Sequence, residues 1–296
     1  MFHFYHLVSY VDDEIQRLEK RRAAEEASSP IMSGDRTDQR IAIVGGSAGM
    51  GFATAQILVR DGATVAIIGR DGAKAHAKAA SLAADGPGRA LGFGLDAADP
   101  NNLADVIDEA VKQLGGLDGL AVTAGPIKTS GTVLGLDDAD WLESFQTQLM
   151  TVVRACRAAL PALIETRGAI VTTSAYSVRA QKPILPHYTA MKAAVAGVTK
   201  NIAKTYGPQG VRANCIAPGA IATEALDDAQ RQAVAKYGGP PDQALDRFMQ
   251  EAWGMKLALD RVGRPEEVGD LIAFLLSRKA GYLTGALINI DGGTDF

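Results

Sequence analysis

From residue 40 onward, short apolar runs alternate with longer stretches whose apolar residues fall at helical spacing. "RIAIVGG" is a compact apolar run stopped by glycines, and "ATVAIIGR", "RALGFGLD", "LDGLAVTAG", "GAIVTTS", "VRANCIAPG" and "ALINIDGG" repeat the form. Strands that read as near-continuous apolar runs are covered on both faces. Between them lie "GFATAQILVRDG", closing on Gly62, the Ala-rich "DGAKAHAKAASLAAD", and "PNNLADVIDEAVKQLGG", with Pro near its head and glycines at its tail. A long helix is expected over about 137–164, followed by "HYTAMKAAVAGVTKNIAKTYG", an irregular helical region to about Met255, and "EEVGDLIAFLLSR". Strictly alternating strands and helices predict a parallel sheet, because each right-handed crossover carries a helix. The expectation is one doubly wound α/β domain, with neither an internal repeat nor a Pro-, Gly- or Ser-rich linker to divide it.

The first 37 residues break the pattern. "MFHFYHLVSYVDDEIQRLEKRRAAEEASSP" opens with aromatics and turns strongly charged. It lacks a basic start and carries Asp12, Asp13 and Glu14, unlike a signal peptide. Val11, Ile15 and Leu18 have the spacing of a short amphipathic helix, and Met32 is a second candidate start. Residues 1–37 are expected to be a peripheral or partly disordered extension, and 38–296 the folded domain.

Composition narrows the function classes. The chain has 296 residues, 47% of them hydrophobic, enough for a large core. A net charge of −4 gives no footprint for nucleic acid or a polybasic membrane anchor. The two cysteines, Cys156 and Cys215, sit in apolar surroundings outside any CxxC or Cys/His cluster, which leaves a zinc site without support and fits a reducing, cytoplasmic setting. No apolar run reaches the roughly 20 residues of a membrane span.

Candidate chemistry begins at "VGGSAGMG", between the first strand and the first helix. Gly45, Gly49 and Gly51 let the backbone turn sharply and approach a pyrophosphate, and the following helix offers it a positive N-terminal end. Position after a strand, before a helix and at the head of a βαβ unit points to a dinucleotide. About 20 residues further on, an NAD site usually carries a carboxylate for the ribose 2′-hydroxyl. Here that place is Gly69, followed by Arg70, which can grip a 2′-phosphate, so NADP(H) is favoured over NAD(H). Further along, Tyr188 and Lys192 stand four apart on one helix and share a face.

"VGGSAGMG", "FGLDAAD", "VTAG", "GAIVTTS", "YTAMK", "NCIAPGAIATE", "RVGRPEEV" and "YLTGALINIDGG" occur in the order seen in the short-chain dehydrogenase/reductase family. The resemblance runs from about residue 40 to the C-terminus. It implies a seven-stranded Rossmann sheet with the nucleotide across the strand C-termini. Gly45, Ser47, Gly49, Met50 and Gly51 match the phosphate turn, with Val44 where the family usually has Thr. Asp96 matches the carboxylate that accepts from the adenine amino group, with Ala97 beside it. Ala124 and Gly125 match positions beneath the adenosine ribose, while Val122 and Thr123 replace the family's two Asn. Pro218, Gly219, Ile221 and Thr223 match the segment holding the nicotinamide carboxamide and phosphates.

In the family the Tyr hydroxyl protonates a carbonyl oxygen as hydride arrives, and the Lys binds the nicotinamide ribose and lowers the Tyr pKa. An ammonium about 4 Å away at an effective dielectric of about 20 supplies roughly 4 kcal/mol, enough to bring Tyr188 down by up to about three units. Two helper positions depart. The family's Ser stands about thirteen residues before the Tyr, where this chain has Ala175; Ser174 is one residue earlier and Ser177 two later. A one-residue shift on a strand reverses the side chain, so Ser174 serves as helper only if a local bulge realigns it, and otherwise pins the strand end. The family's relay Asn, whose backbone carbonyl holds a water at a helix distortion, is Gln148.

The resemblance therefore implies hydride transfer between nicotinamide and a small carbonyl or alcohol substrate, with Tyr188 as acid/base. Two alternatives stay open: a redox-neutral dehydratase or isomerase, and a non-catalytic NADP-binding regulator. Residues about 221–261 correspond to the substrate lid, where Tyr237, Phe248, Met249, Trp253 and Met255 either line an apolar pocket or pack the lid to the body. Tyr176, Val178, His187 and Pro126 fall near the substrate's place. Family members pair through the long helix and the Tyr-bearing helix, so a homotetramer or homodimer is expected.

Overall fold

The structure, a computed structural model, describes residues 36–95 and 102–294. Residues 1–35 of the expected extension, together with Asp96 and Ala97, lie outside the described residues. Seven strands, β1 (Arg40–Val44), β2 (Thr64–Gly69), β3 (Arg89–Gly94), β4 (Gly119–Val122), β5 (Ala169–Thr173), β6 (Arg212–Pro218) and β7 (Leu287–Ile290), form one parallel sheet in the order β3-β2-β1-β4-β5-β6-β7. The chain reverses direction across the sheet between β1 and β4, which pair from Ile41↔Gly119 to Val44↔Val122. A reversal of strand order opens a crevice at the strand C-termini, where doubly wound sheets bind ligands.

The helices are α1 (Gly49–Arg60), α2 (Gly72–Ser81), α3 (Leu103–Leu114), α4 (Asp138–Ser144), α5 (Thr151–Thr166), α6 (Pro186–Tyr206), α7 (Asp227–Tyr237), α8 (Pro241–Glu251) and α9 (Pro265–Leu276). Strand periodicity sends alternate residues to opposite faces. Ala42 and Val44 join a core with Ile107, Leu163 and Val195, while Ile41 and Ile43 join another with Leu58, Val268 and Ile272. Both faces are thus filled, which is why the strands read as unbroken apolar runs. Among the described residues no helix is long and apolar enough to cross a membrane.

The helix expected over 137–164 is interrupted. Phe145–Met150 form a π-helical turn joining α4 to α5. The Thr151 N–H donates to the carbonyl of Gln146, five residues back. π-turns inside α-helices are rare and concentrate at functional sites.

The segment from Ile221 to Arg261 leaves the body and returns beside its own start. The Ala222 N–H donates to Gly263 O and the Gly263 N–H to Ala220 O, both at 2.9 Å. "RVGRPEEV" closes this base: Arg261 grips Glu267 through two bonds of 2.9 and 2.6 Å, and Glu267 also accepts from the Arg264 N–H at 2.7 Å. Arg261 and the backbone donor hold the Glu267 carboxyl down at about 2.

Candidate active site

The Gly-rich turn crosses the C-terminal end of β1 at the crevice. Gly45 has φ +91° and Gly49 φ +49°, a backbone region open chiefly to glycine. A Cβ on Gly45 would press on the Ala124 amide at 2.6 Å, so the turn lies directly on the end of β4. Thr123, in the place of a family Asn, points its hydroxyl at the carbonyls of Val44 and Gly45 (3.2 and 3.3 Å) and ties the turn down. Ser47 packs its hydroxyl against Gly69 at the end of β2, and Arg70 beside it is exposed. Across the turn stand Thr223 and Glu224: a Cβ on Gly49 would lie 3.1 Å from Thr223 Cγ2 and 3.5 Å from Glu224 Oε2. The cleft here is lined by Gly49, Phe52, Thr223, Glu224, Asp227 and Glu266, so three carboxylates surround a turn suited to phosphate.

Tyr188 and Lys192 lie on the first turns of α6, which Pro186 begins. Three bonds clamp this helix onto the end of β5. Thr172 and Thr199 share a hydroxyl bond of 2.6 Å, Ser174 Oγ donates to the Lys192 carbonyl at 2.7 Å, and Lys192 Nζ donates to the Thr173 carbonyl at 3.0 Å. Lys192 is 2% exposed, and its ammonium stands 5.5 Å from the centre of the Tyr188 ring. Burial pushes the Lys192 ammonium down to about 8. Burial and the neighbouring Tyr176 push the Tyr188 hydroxyl above its ordinary range. Tyr188 is thus shifted in the direction opposite to the expected lowering, by burial first and Tyr176 second, while the Lys192 ammonium lies over the ring and donates to the Thr173 carbonyl.

Ala175, the residue expected at the helper position, is buried and carries only a methyl group. Ser174 binds the backbone of α6, which makes it a strap between β5 and α6. Ser177 accepts from Thr189 Oγ1 at 3.1 Å. Gln148 sits within the π-turn, 2% exposed, and its Nε2 donates to Pro126 O at 2.6 Å. Its Oε1 is buried and has no hydrogen-bond partner. A Cβ on Gly125 (φ +140°) would meet that oxygen and stand 3.3 Å from Lys192 Nζ, so Gln148, Gly125 and Lys192 share one corner of the crevice. His187 turns elsewhere, pairing Nε2 with Thr129 Oγ1 at 3.2 Å and edging against Trp141. Pro218 ends β6, the Gly219 N–H donates to Ile290 O at 3.0 Å, and Ile221 opens the outer segment. In that segment Phe248, Met249 and Met255 are buried in its own small core, while Trp253 is half exposed, so this group packs the segment together instead of lining a shared pocket. Glu224 closes the "NCIAPGAIATE" stretch and Thr173 lies in "GAIVTTS", but neither pattern by itself marks that carboxylate or that carbonyl as part of a site.

A nicotinamide dinucleotide fits these residues: a glycine cradle a Cβ would fill, a helix N-terminus behind it, and an unpartnered buried carbonyl oxygen beside a buried ammonium.

A family profile described as enoyl-(acyl carrier protein) reductase matches residues 44–295. 2-(S)-Hydroxypropyl-CoM dehydrogenase 3 of Xanthobacter autotrophicus is 32% identical over 88% of this chain and 98% of its own length. The inactive 2-(S)-hydroxypropyl-CoM dehydrogenase 2 of the same organism is 34% identical, over 81% and 98%. Among solved structures, L-sorbose reductase of Gluconobacter frateurii, complexed with NADPH and L-sorbose, superposes with a TM-score of 0.79 at 26% identity, over 88% of this chain and 97% of that one. Ordered motifs, sheet order and these matches agree: the chain belongs to the short-chain dehydrogenase/reductase family of NAD(P)-dependent oxidoreductases.

Proposed function

We propose that the protein is an NADP(H)-dependent oxidoreductase that interconverts a small carbonyl compound and its alcohol, with Tyr188 as acid/base and Lys192 as its partner. The observation that carries this reading is the clamped pair on α6, a phenol and a buried ammonium beside the crevice where β1 and β4 part. Bound reduced nicotinamide supplies the hydride. Gly45, Ser47, Gly49, Met50, Gly51, Ala124 and Gly125 would hold the dinucleotide backbone, with Pro218, Gly219, Ile221 and Thr223 on the nicotinamide side, and Asp96 and Ala97 at the adenine. Tyr188 gives its proton to the carbonyl oxygen, and its raised proton affinity keeps that proton in place until negative charge develops there. Lys192 keeps a positive charge beneath the phenol, which stabilises the phenolate left behind. The Gln148 turn offers carbonyl oxygens that could hold a relay water against Lys192.

The test is NADPH oxidation across ketones, quinones and 3-oxoacyl thioesters. Consumption of NADPH with a stoichiometric alcohol product supports the reading; redox-neutral turnover, or tight NADPH binding with no turnover across the whole panel, overturns it. The coenzyme choice has its own test. Arg70→Ala is expected to weaken NADPH by about tenfold or more, the worth of a charge-assisted bond, and to leave NADH nearly unchanged. Equal losses for both would assign Arg70 no part in selecting the phosphate.

Glu224 leads to a prediction of the opposite sign. Its carboxylate stands beside the turn that would receive the diphosphate, so Glu224→Gln should tighten dinucleotide binding by about fivefold at low ionic strength, roughly 1 kcal/mol for an exposed charge. The gain should shrink as salt is raised. Fluorescence titration of NADPH at two salt concentrations measures both effects.

The segment 221–261 is assigned as the substrate lid, hinged where Ile221 bridges Gly263. Pairing of copies through α5 and α6 into a homotetramer or homodimer, readable by sedimentation velocity, completes the proposal, with two buried thiols that suit a cytoplasmic setting.

A further inference from the structure

The site has a phenol on α6, and Ala175 leaves no serine hydroxyl at the family's helper position. Ser174 donates its hydrogen bond to the Lys192 carbonyl, Ser177 accepts one from Thr189, and Ala175 carries only a methyl group. Immediately after Ala175 the chain leaves its extended path and winds into a short 3-10 turn, Tyr176–Val178. The Ala180 N–H closes back on the Tyr176 carbonyl at 3.1 Å. This turn lies against the start of α6. The bond between Ser177 and Thr189 joins the residue after Tyr176 to the residue after Tyr188. The two tyrosines are therefore carried on adjoining backbones held together by one hydroxyl pair.

Tyr176 is partly buried, and its ring packs against the core of the 221–261 segment. Its hydroxyl donates to Met255 Sδ at 3.9 Å. A thioether is a weak acceptor, so a desolvated phenol proton held by sulfur is readily exchanged for an oxygen acceptor. Tyr176 also raises the proton affinity of Tyr188, which makes the two phenols electrostatic neighbours.

We propose that Tyr176 is the second hydroxyl of the active site, donating a hydrogen bond to the substrate oxygen in place of the helper serine and releasing Met255 Sδ to do so. This rests on the reductase reading above. No proton is transferred by Tyr176: Tyr188 supplies the proton, hydride comes from the reduced coenzyme, and Tyr176 keeps its own hydrogen while stabilising charge on the oxygen. Because a phenol reaches further from the backbone than a serine hydroxyl, the acceptor oxygen stands further from the end of β5. Met255 belongs to the lid, so binding of the oxygen also loosens one lid contact.

Tyr176→Phe keeps the ring and its packing and removes only the hydroxyl. On a carbonyl substrate that the wild type reduces, kcat is expected to fall about 100-fold, the usual cost of one lost donor to a developing oxyanion, with NADPH affinity unchanged. Adding Ala175→Ser to that variant should restore at least about tenfold of the rate, because it supplies the hydroxyl from the family position. A Tyr176→Phe enzyme within about threefold of the wild type, a loss confined to KM, or a double variant no faster than Tyr176→Phe would each overturn the assignment. A readout without turnover is the affinity of isobutyramide, an unreactive carbonyl mimic, for the NADPH complex. It should weaken about tenfold in Tyr176→Phe, and equal affinity overturns the proposal. Tyr188→Phe run alongside separates the two readings: if it alone loses activity, the Tyr176 assignment falls and the reductase reading stands; if both variants keep full activity, both fall.

Discussion

Tyr188→Phe should reduce carbonyl turnover by about 10³-fold or more while changing NADPH affinity far less, because on the proposed reading it removes the proton donor and at most one hydroxyl contact to the coenzyme. The phenol is partly buried on a helix clamped to β5 by the Thr172–Thr199, Ser174–Lys192 and Lys192–Thr173 bonds, so loss of its hydroxyl should leave the backbone in place. Steady-state NADPH oxidation and a fluorescence titration on the same samples separate chemistry from binding. The alkaline limb of the pH profile also carries information. Burial and Tyr176 raise the Tyr188 proton affinity while burial brings Lys192 down to about 8, so the reductase rate should fall above about pH 8 through discharge of Lys192 and not through ionisation of Tyr188. Unchanged turnover in Tyr188→Phe would remove this helix from the mechanism.

Lys192→Met should separate stability from activity. The unfolded lysine titrates near its ordinary 10.5, whereas burial holds the folded one at about 8. A lowered ammonium pKa means that folding pays for desolvation of the charge. The cost is full below pH 8, on the order of 3 kcal/mol, and fades between pH 8 and 10.5 as the folded protein sheds the proton first. Methionine keeps the length of the side chain without the charge, but forfeits the bond to the Thr173 carbonyl, about 1–2 kcal/mol. The variant should therefore melt a few degrees higher than the wild type at pH 7, since about 1 kcal/mol shifts Tm by roughly 2–4 °C in a domain of this size. Its advantage should vanish or reverse by about pH 10. Activity should fall about 10³-fold, as the charge under the phenolate is gone. Melting curves of the coenzyme-free protein at two pH values decide this; a variant less stable than the wild type at pH 7 would show that the Thr173 bond outweighs desolvation.

The strands were legible because each fills two cores at once: the unbroken run Ile41-Ala42-Ile43-Val44 is what a strand buried on both faces must look like. Gly45 and Gly125 were legible for a different reason, since few other residues tolerate their backbone angles and close contacts. Counting back from Tyr188 puts Ala175 where the family's helper hydroxyl is expected. It could not say where Ser174 points, because that depends on how close α6 comes to the end of β5, a property of packing. The protonation of Tyr188 was misjudged for a related reason. Spacing of four residues fixes the neighbour, but burial fixes the solvation, and at this site solvation wins. Glu224 closes the recognised "NCIAPGAIATE" stretch, but its approach to Gly49 of the phosphate turn is a property of the fold and not of that pattern.

The π-turn at Phe145–Met150 makes the long helix a phase shifter. One extra residue in a turn advances every residue before it by about 100° relative to those after it. Trp141 can therefore face His187 while Val152, Ala155 and Leu163 face the sheet, an assignment that a uniform helix could not satisfy with this order of residues. Removing one residue from the turn would leave a more regular helix and a misaligned one, with Gln148 rotated away from Gly125. The irregularity is thus a gear between two interfaces, and any attempt to stabilise the protein by idealising this helix would disconnect them.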